Sequence, residues 1–516
     1  MNRRIILLGG VGAAAVAGAA ALAGSAADTP AGGTARAALA YPFRLGVASG
    51  DPEPDGVVLW TRLAPRPLNG DGLGGMPNRD VTVEWQVSTE EHFGTVAQRG
   101  SVTARPAEAH SVHVELAGLA PDSWYYYRFR AEGHTSRVGR TRTAPALTAT
   151  PSSVTVLAAS CAHYEQGHFT AYRRMAEERP DLILHLGDYI YEYGPVPGRA
   201  RVHSGVSEIL SLAQYRVRHA QYKADADLQA AHAAAPWLVV WDDHEVHNNY
   251  AGLVEGDPGH GIDFRARRAT AYQAYYENMP LRATARPVAW NMALFRRVRW
   301  GRLATFHLLD TRQYRSDQAC GDGWKVCPEA AAATRTITGP GQETWLLDGL
   351  AAHHGSWDVI GQQVFFAQRL DSAGRSSMDS WNGYLASRQR IQRGWLDRSV
   401  RNPVILTGDV HTAWANDLKM DYRDVAAAPI GVELATTSIA SGGDGSDTPP
   451  LSDTEAALNP HLKFSHGRRG YLRTRYTPAQ LTADFRAVSR ITVAGEPVRT
   501  VASFAVAEGR PGLQAI

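Results

Sequence analysis

The stretch WLVVWDDHEVHNNY, residues 237–250, changes character halfway along. Its first five residues are apolar or aromatic with no helical period, as in a short strand buried on both faces. The chain then turns to Asp242, Asp243, His244, Glu245, His247, Asn248 and Asn249. Carboxylates and imidazoles crowded where a strand leaves the core are unfavourable unless something offsets their charge. A divalent or trivalent cation would do so, since Asp, His and Asn side chains are hard-metal ligands. Alone, the stretch also reads as a polar loop after a strand; its neighbours argue against that.

Four other apolar runs end in the same way. VTVLAAS (154–160) stops at Cys161, and DLILHLG (181–187) runs into Asp188, Tyr189, Tyr191 and Glu192. LATFHLL (303–309) stops at Asp310, and PVILTG (403–408) at Asp409 and His411. Helical segments alternate with these strands, so residues 152–516 read as a layered α/β domain. Ligands on such sheets gather outside the carboxyl ends of the strands. Five strands delivering Cys, Asp, Tyr and His to one edge predict a multi-metal site. Each cluster has a plainer reading by itself: GDVH as a turn, Tyr191 as a core tyrosine, Cys161 as an inert buried thiol. Holding all of those readings together would require five coincidences.

Upstream, residues 41–145 read as all-β. VTVEWQVS (81–88) and SVHVELAGL (111–119) alternate apolar and polar residues, and WYYYRFRAE (124–132) does so with aromatics. LAPDSWYYYRF resembles the tyrosine-corner region of immunoglobulin- or fibronectin-like sandwiches. This part carries no cluster of ligands, so we expect a small sandwich that flanks or shapes the active site. A surface-binding role is the alternative.

At 516 residues the chain exceeds one core of ordinary size, and two domains plus extras are expected. Lys and Arg number 53 against 51 Asp and Glu, with no basic block interleaved with aromatics, which argues against a nucleic-acid-binding domain. The 28 prolines and 49 glycines suit a loop-rich extracellular enzyme. Residues 1–27 read as a signal peptide: Arg3 and Arg4 precede an Ala/Gly-rich apolar run, then small residues at Ser25, Ala26 and Ala27. The paired arginines point to the twin-arginine export route, an ordinary secretory signal being the alternative. No later stretch is long and apolar enough to span a bilayer, so a secreted monomer without a permanent membrane anchor is expected. Of three cysteines, Cys320 and Cys327 share the short loop ACGDGWKVC and would close a staple in an oxidising compartment. That leaves Cys161 alone.

The spacing GDYIY, WDDHE, GDVH resembles the metallophosphoesterase superfamily, whose dinuclear sites use D-x-H, G-D-x-x-Y, G-N-H-D/E and G-H-x-H blocks. More specifically the chain resembles the alkaline phosphatase D (PhoD-type) family. The likeness runs over almost the whole length, from the twin-arginine start through ASC (159–161), GDYIYEY (187–193), WDDHEVHNNY (241–250) and LDTRQYRSDQ (309–318). It continues in GPGQETWL (339–346), SWNGYLASR (380–388), TGDVHTAW (407–414) and RRGYLRTRYTP (468–478). It implies a metallophosphoesterase-like α/β catalytic domain behind the sandwich, with Fe³⁺ and Ca²⁺ as cofactors. Cys161 and Tyr191 would then sit on iron and Asp188 would bridge, with Asp243, Asp409 and His411 as further ligands. Cys161, Asp243 and Asp409 stand where the wider superfamily has Asp, Asn and His. More anionic donors suit Fe³⁺ and Ca²⁺ better than a zinc pair. The isolated His that many relatives carry between the last two blocks has no evident counterpart here.

The resemblance therefore implies a secreted hydrolase of phosphate esters using a metal-activated oxygen nucleophile. His244 would contact the phosphate or protonate the leaving oxygen, and Asn248 would join it in binding substrate. A phospholipase D-type phosphodiesterase acting on phospholipid head groups is the nearest alternative. A secreted binding protein with purely structural metals is a further one.

Overall fold

A computed structural model of the chain describes residues 39–256, 261–448 and 450–516; the signal-peptide reading of residues 1–27 lies outside them. Eight strands come first: β1 (Val47–Glu53), β2 (Gly56–Arg62), β3 (Val81–Ser88), β4 (Val96–Ala104), β5 (Ser111–Glu115), β6 (Trp124–Ala131), β7 (His134–Thr135) and β8 (Gly139–Arg142). One layer is β4-β3-β6-β7 with β8 also on β6, and β1, β2 and β5 make the other. Period-two alternation sets the inner face. In β3, Val81, Val83 and Val87 are buried, and Thr82 and Glu84 face out. They pack with Tyr127 and Phe129 against Val57, Leu59 and Val112 of the opposite layer.

The second layer is not free-standing. Strands β9 (Val154–Ala159), β10 (Leu182–Leu186) and β11 (Trp237–Val240) alternate with helices α1 (Thr170–Glu177), α2 (Leu212–Lys223) and α3 (Ala226–Ala234). The three strands pair in parallel, and β1 joins their edge through Gly50 opposite Trp237. An open edge on β11 would leave unpaired backbone groups, and β1 covers it. Helix α4 (Phe264–Asn278) tightens the join. The carbonyl of Glu277 accepts from Trp60 Nε1 (3.0 Å) and Ser111 Oγ (2.5 Å).

A second sheet holds β12 (Arg296–Trp300), β13 (Ala304–Leu308), β15 (Trp357–Gln362), β17 (Pro403–Thr407), β18 (Ala413–Leu418), β19 (Gly431–Ala435) and β20 (Leu462–His466). A two-stranded ribbon, β14 (Trp324–Lys325) with β16 (Ser376–Ser377), lies beside it in the chain order. Helices α5 (Gly339–Ala351) and α6 (Leu385–Asp397) connect its strands. The antiparallel run β21 (Gly470–Tyr476), β22 (Gln480–Val488), β23 (Val498–Ala507) and β24 (Arg510–Ala515) returns to the first sheet beside β9, making it ten-stranded.

The five strands singled out in the sequence are therefore β9, β10 and β11 in one sheet and β13 and β17 in another. The expectation of a single sheet edge is corrected. Runs such as LILHL and PVILT are buried throughout, so they carry no face pattern that encodes a neighbour. The sheets meet face to face through leucines. A Cβ on Gly361 would lie 3.0 to 3.5 Å from Leu308, Leu186 and Leu184, so the close approach there depends on glycine. Beyond the strands the sheets are tied together. Ser160 bridges Ser438 in parallel, Cys161 N–H donates to Gly187 O (3.1 Å), and Ala440 N–H to Cys161 O (3.2 Å). Both sets of carboxyl ends thus open into one place.

Candidate metal centre

The turn after β10 lies directly against the turn after β11. Gly187 has φ +106°, and a Cβ there would come within 2.4 Å of Asp242 Cβ, so no other residue permits this contact. Cys161, Asp188, Asp409 and His411 all occupy the left-handed region, at φ 59°, 53°, 62° and 53°. For residues with a side chain this costs about 1–3 kcal/mol each, and such strain concentrates at functional sites.

The strained turns bring donors together. Cys161 Sγ, an Asp188 oxygen and a His411 nitrogen lie within 4.8 Å of one another, and so do ligand atoms of Asp188, Asp243 and His244. Asp188 belongs to both groups. Tyr191 Oη donates to Asp188 Oδ2 and stands the same 3.1 Å from His411 Nε2. Ser441 Oγ lies 2.7 Å from that phenol and 2.8 Å from Cys161 O. Asp188 Oδ1 and Asp243 Oδ1 are buried with no hydrogen-bond partner among the described residues. Asp409, after β17, is half-buried and outside both donor groups.

Charge in this cluster is poorly offset. Burial, then Asp188, pushes the Cys161 thiol well up; burial, then Asp188 and Cys161, does the same to the Tyr191 phenol. Asp188 is raised by burial and neighbouring carboxylates against the pull of His244, and Asp409 by burial and Asp242, Asp379 and Asp243. Burial lowers His411 to about 3, helped by Arg469 and His244. Burial lowers His244 too, but Glu192, Asp243 and Asp188 outweigh it and hold the ring well above its usual range. Buried anionic donors forced toward neutrality, with orphaned oxygens among them, fit a bound cation, which would supply the missing positive charge.

Asp242 and Glu245 of the same run hold the turns in place. Asp242 Oδ1 accepts from Arg312 Nε (2.5 Å), whose two terminal nitrogens grip Asp379 at 2.8 Å each. Arg315 Nη1 adds a bond of 2.5 Å to Asp379. Glu245 accepts the backbone N–H groups of Asp188 (3.1 Å), Tyr189 (2.5 Å) and Asp242 (2.8 Å), clamping two turns at once. Glu192 receives His244 Nδ1 at 2.7 Å and the Asn248 N–H at 2.8 Å. His244 also stacks on Tyr191, centroids 4.1 Å apart. Tyr189 turns into the core and bonds His232 (2.8 Å).

Asp310, expected at the same edge, is not a donor to the centre. It accepts the N–H groups of Arg312 (3.0 Å) and Gln313 (2.9 Å), making the turn that aims Arg312 inward. Arg312, Asp379 and Ser441 were not singled out in the sequence, and Glu245, read there within the candidate ligand run, instead clamps backbone N–H groups. Two arginines three residues apart after a strand that ends at the site were the available signal. Between Tyr250 and Asp409 no histidine among the described residues joins the donors; His307, for one, bonds Asp358 (3.0 Å). Cys320 and Cys327 form a disulfide, and Cys161 is the free, buried thiol. The disulfide loop reaches the centre: Asp322 Oδ2 accepts from Asn249 Nδ2 (2.6 Å), and Asn249 N–H donates to Asp243 Oδ2 (2.6 Å).

Two layered sheets with donors at their carboxyl ends define a metallophosphoesterase-like fold. The chain shares it with a purple acid phosphatase from yellow lupin (Lupinus luteus) seeds, at TM-score 0.55 and 11% identity over 91% of this chain and 74% of that one. The model of the PhoD-like phosphatase family matches residues 155–485, and that of its N-terminal domain matches 26–145. Alkaline phosphatase D of Bacillus subtilis (strain 168) is 48% identical over 486 residues, covering 92% of this chain and 82% of that protein. A solved PhoD structure superposes at TM-score 0.89 with 48% identity, covering 92% of each chain. The chain belongs to the PhoD-like phosphatase family and is a phosphoric ester hydrolase. No helix among the described residues is long and apolar enough to cross a membrane.

Proposed function

We propose that the protein is an exported, metal-dependent phosphoesterase using Fe³⁺ and Ca²⁺. The observation that carries this is Asp188, shared by two donor groups and left with an orphaned buried oxygen. Cys161, Tyr191 and His411 around one side of Asp188 offer the soft and anionic donors that suit Fe³⁺. Asp243 and Asp409 offer hard oxygens for Ca²⁺. When bound, such cations neutralise phosphoryl oxygens and lower the pKa of water.

The chain's own residues do the rest. Glu192 holds His244 by Nδ1, which fixes the ring and leaves Nε2 to contact the phosphate or to give a proton to the leaving oxygen. Asn248, anchored on Glu192 beside it, lies within the same binding wall. Glu245 and the Arg312–Asp379 pair keep the turns rigid, so the donors need little rearrangement. Residues 1–27, with Arg3 and Arg4, serve as a twin-arginine signal, which would let the chain leave the cytoplasm with Cys161 already protected from oxidation. The mature enzyme acts as a monomer.

Substrates are phosphomonoesters and phosphodiesters of small alcohols, with a phospholipid head group as the outer case. A panel of one phosphomonoester, one diester and one phosphatidyl lipid, assayed with and without a calcium-selective chelator, tests this. Turnover of the small esters that vanishes with chelation and returns on adding Ca²⁺ is expected. Undiminished turnover in calcium-depleted buffer would contradict it.

A further inference from the structure

Beside the centre lies a cavity of about 210 Å³, walled by Trp324, Phe365, Arg369, Ser380, Asn382 and Asp409. Pockets for drug-sized ligands run to about 300–1,000 Å³, so this one suits a single charged group on a short arm. It shares Asp409 with the proposed metal ligands, which places it next to the reacting phosphate.

Arg369, the one cationic side chain among its described lining residues, is uncommitted. Ser380 Oγ bonds Ser377 O (2.9 Å), and Asn382 Nδ2 bonds Ala367 O (3.2 Å). Asn382 Oδ1 accepts from Arg388 (3.0 Å). The Arg369 guanidinium lies over the Trp414 ring at 4.5 Å and the Trp324 ring at 5.1 Å. Among the described residues no acceptor reaches it, and no carboxylate stands within 4.0 Å. Glu455 and Asp371 are the carboxylates that act on it, but both are engaged elsewhere. Asp371 pairs with Arg375 at 2.7 Å, and Glu455 closes the cap on Ser452 at 2.9 Å. A half-buried guanidinium carries five N–H donors. The two indoles hold its plane and stabilise its charge but satisfy none of those donors.

We infer that Arg369 recognises a second oxyanion on the substrate, a phosphate or a carboxylate borne by the alcohol that leaves. The planar fork matches either group bidentately. The inference rests on the phosphoesterase reading, with Asp409 engaged on a cation so that it does not repel the incoming anion. Trp324 lies inside the loop closed by Cys320 and Cys327 and in the ribbon β14–β16. The disulfide thereby fixes one wall of a specificity pocket.

The test compares matched substrates on the holoenzyme. Fructose 1,6-bisphosphate is set against fructose 6-phosphate, and 3-phosphoglycerate against glycerol 3-phosphate, with p-nitrophenyl phosphate and bis(p-nitrophenyl) phosphate as reference monoester and diester. For Arg369→Ala, the kcat/KM ratio of anionic to plain substrate should fall at least tenfold relative to wild type, with Arg369→Lys between the two. A fall confined to the first pair assigns the site to phosphate, one confined to the second to carboxylate. Equal loss on both members of each pair, or no loss, would overturn the inference. A wild-type holoenzyme inactive on every one of these esters would instead overturn the phosphoesterase reading beneath it.

Discussion

Two buried acidic clusters lie side by side at the carboxyl ends of these sheets, and they differ in who balances the charge. In one, Arg312 and Arg315 hold Asp379 below its usual range and Arg312 grips Asp242, although burial still lifts Asp242 to about 6 and its Oδ2 has no partner among the described residues. In the other, Asp188, Cys161 and Tyr191 are pressed toward their neutral forms, and Asp188 Oδ1 has no partner among the described residues. Asp243 stands on the border. Burial raises it, but Arg312 and His244 prevail and hold it below the usual range. A cluster that the chain balances by itself is scaffold, whereas one left unbalanced is where a cation from outside belongs.

Removing one charge should therefore have opposite effects on stability in the two clusters. Arg312→Met leaves Asp242 buried without its guanidinium and Asp379 with Arg315 alone. It should destabilise the protein by about 3–5 kcal/mol, read from urea midpoints. Arg312→Lys should not restore this, because an ammonium cannot reproduce the bidentate grip. Asp188→Asn, in contrast, relieves an unbalanced anion. The metal-free variant should be at least as stable as metal-free wild type, while kcat/KM of the loaded enzyme falls about 10²–10³-fold. Matching stability losses in the two metal-free variants would break the comparison.

Most of the unbalanced cluster was legible in the sequence because each donor sits two to five residues past the end of an apolar strand. The balanced one was not. Arg312 and Asp379 are 67 residues apart, and nothing local distinguishes a buried arginine from a surface one. Asp310 misled for the same reason, since an Asp after a strand caps a turn as readily as it binds a cation. The N-terminal strands were legible from their alternation, as in β3 and β6. Their fusion to the catalytic sheet rests on the single parallel register of Gly50 with Trp237, which short strands do not announce. Evenly buried runs such as LILHL likewise fix a strand without fixing its sheet.

Glu192 offers a finer probe of the same boundary, because it positions His244 without joining either donor group around Asp188. Glu192→Gln keeps the shape of the side chain and weakens its hold on the ring. A drop of about 10–100-fold in kcat with KM little changed is expected, as for other residues that orient a site from behind. A fall in kcat no larger than the loss of folded protein, read from the urea midpoint of the same sample, would assign Glu192 to folding alone.

The central claim is that the unbalanced donors hold a metal, and the direct measurement is elemental analysis combined with the visible spectrum of the purified protein. Iron near one atom per chain is expected, with calcium alongside. A thiolate- and phenolate-to-Fe³⁺ absorption band should shift in Cys161→Ala and in Tyr191→Phe. A colourless, iron-free wild-type protein that turns over phosphate esters at full rate would contradict the account.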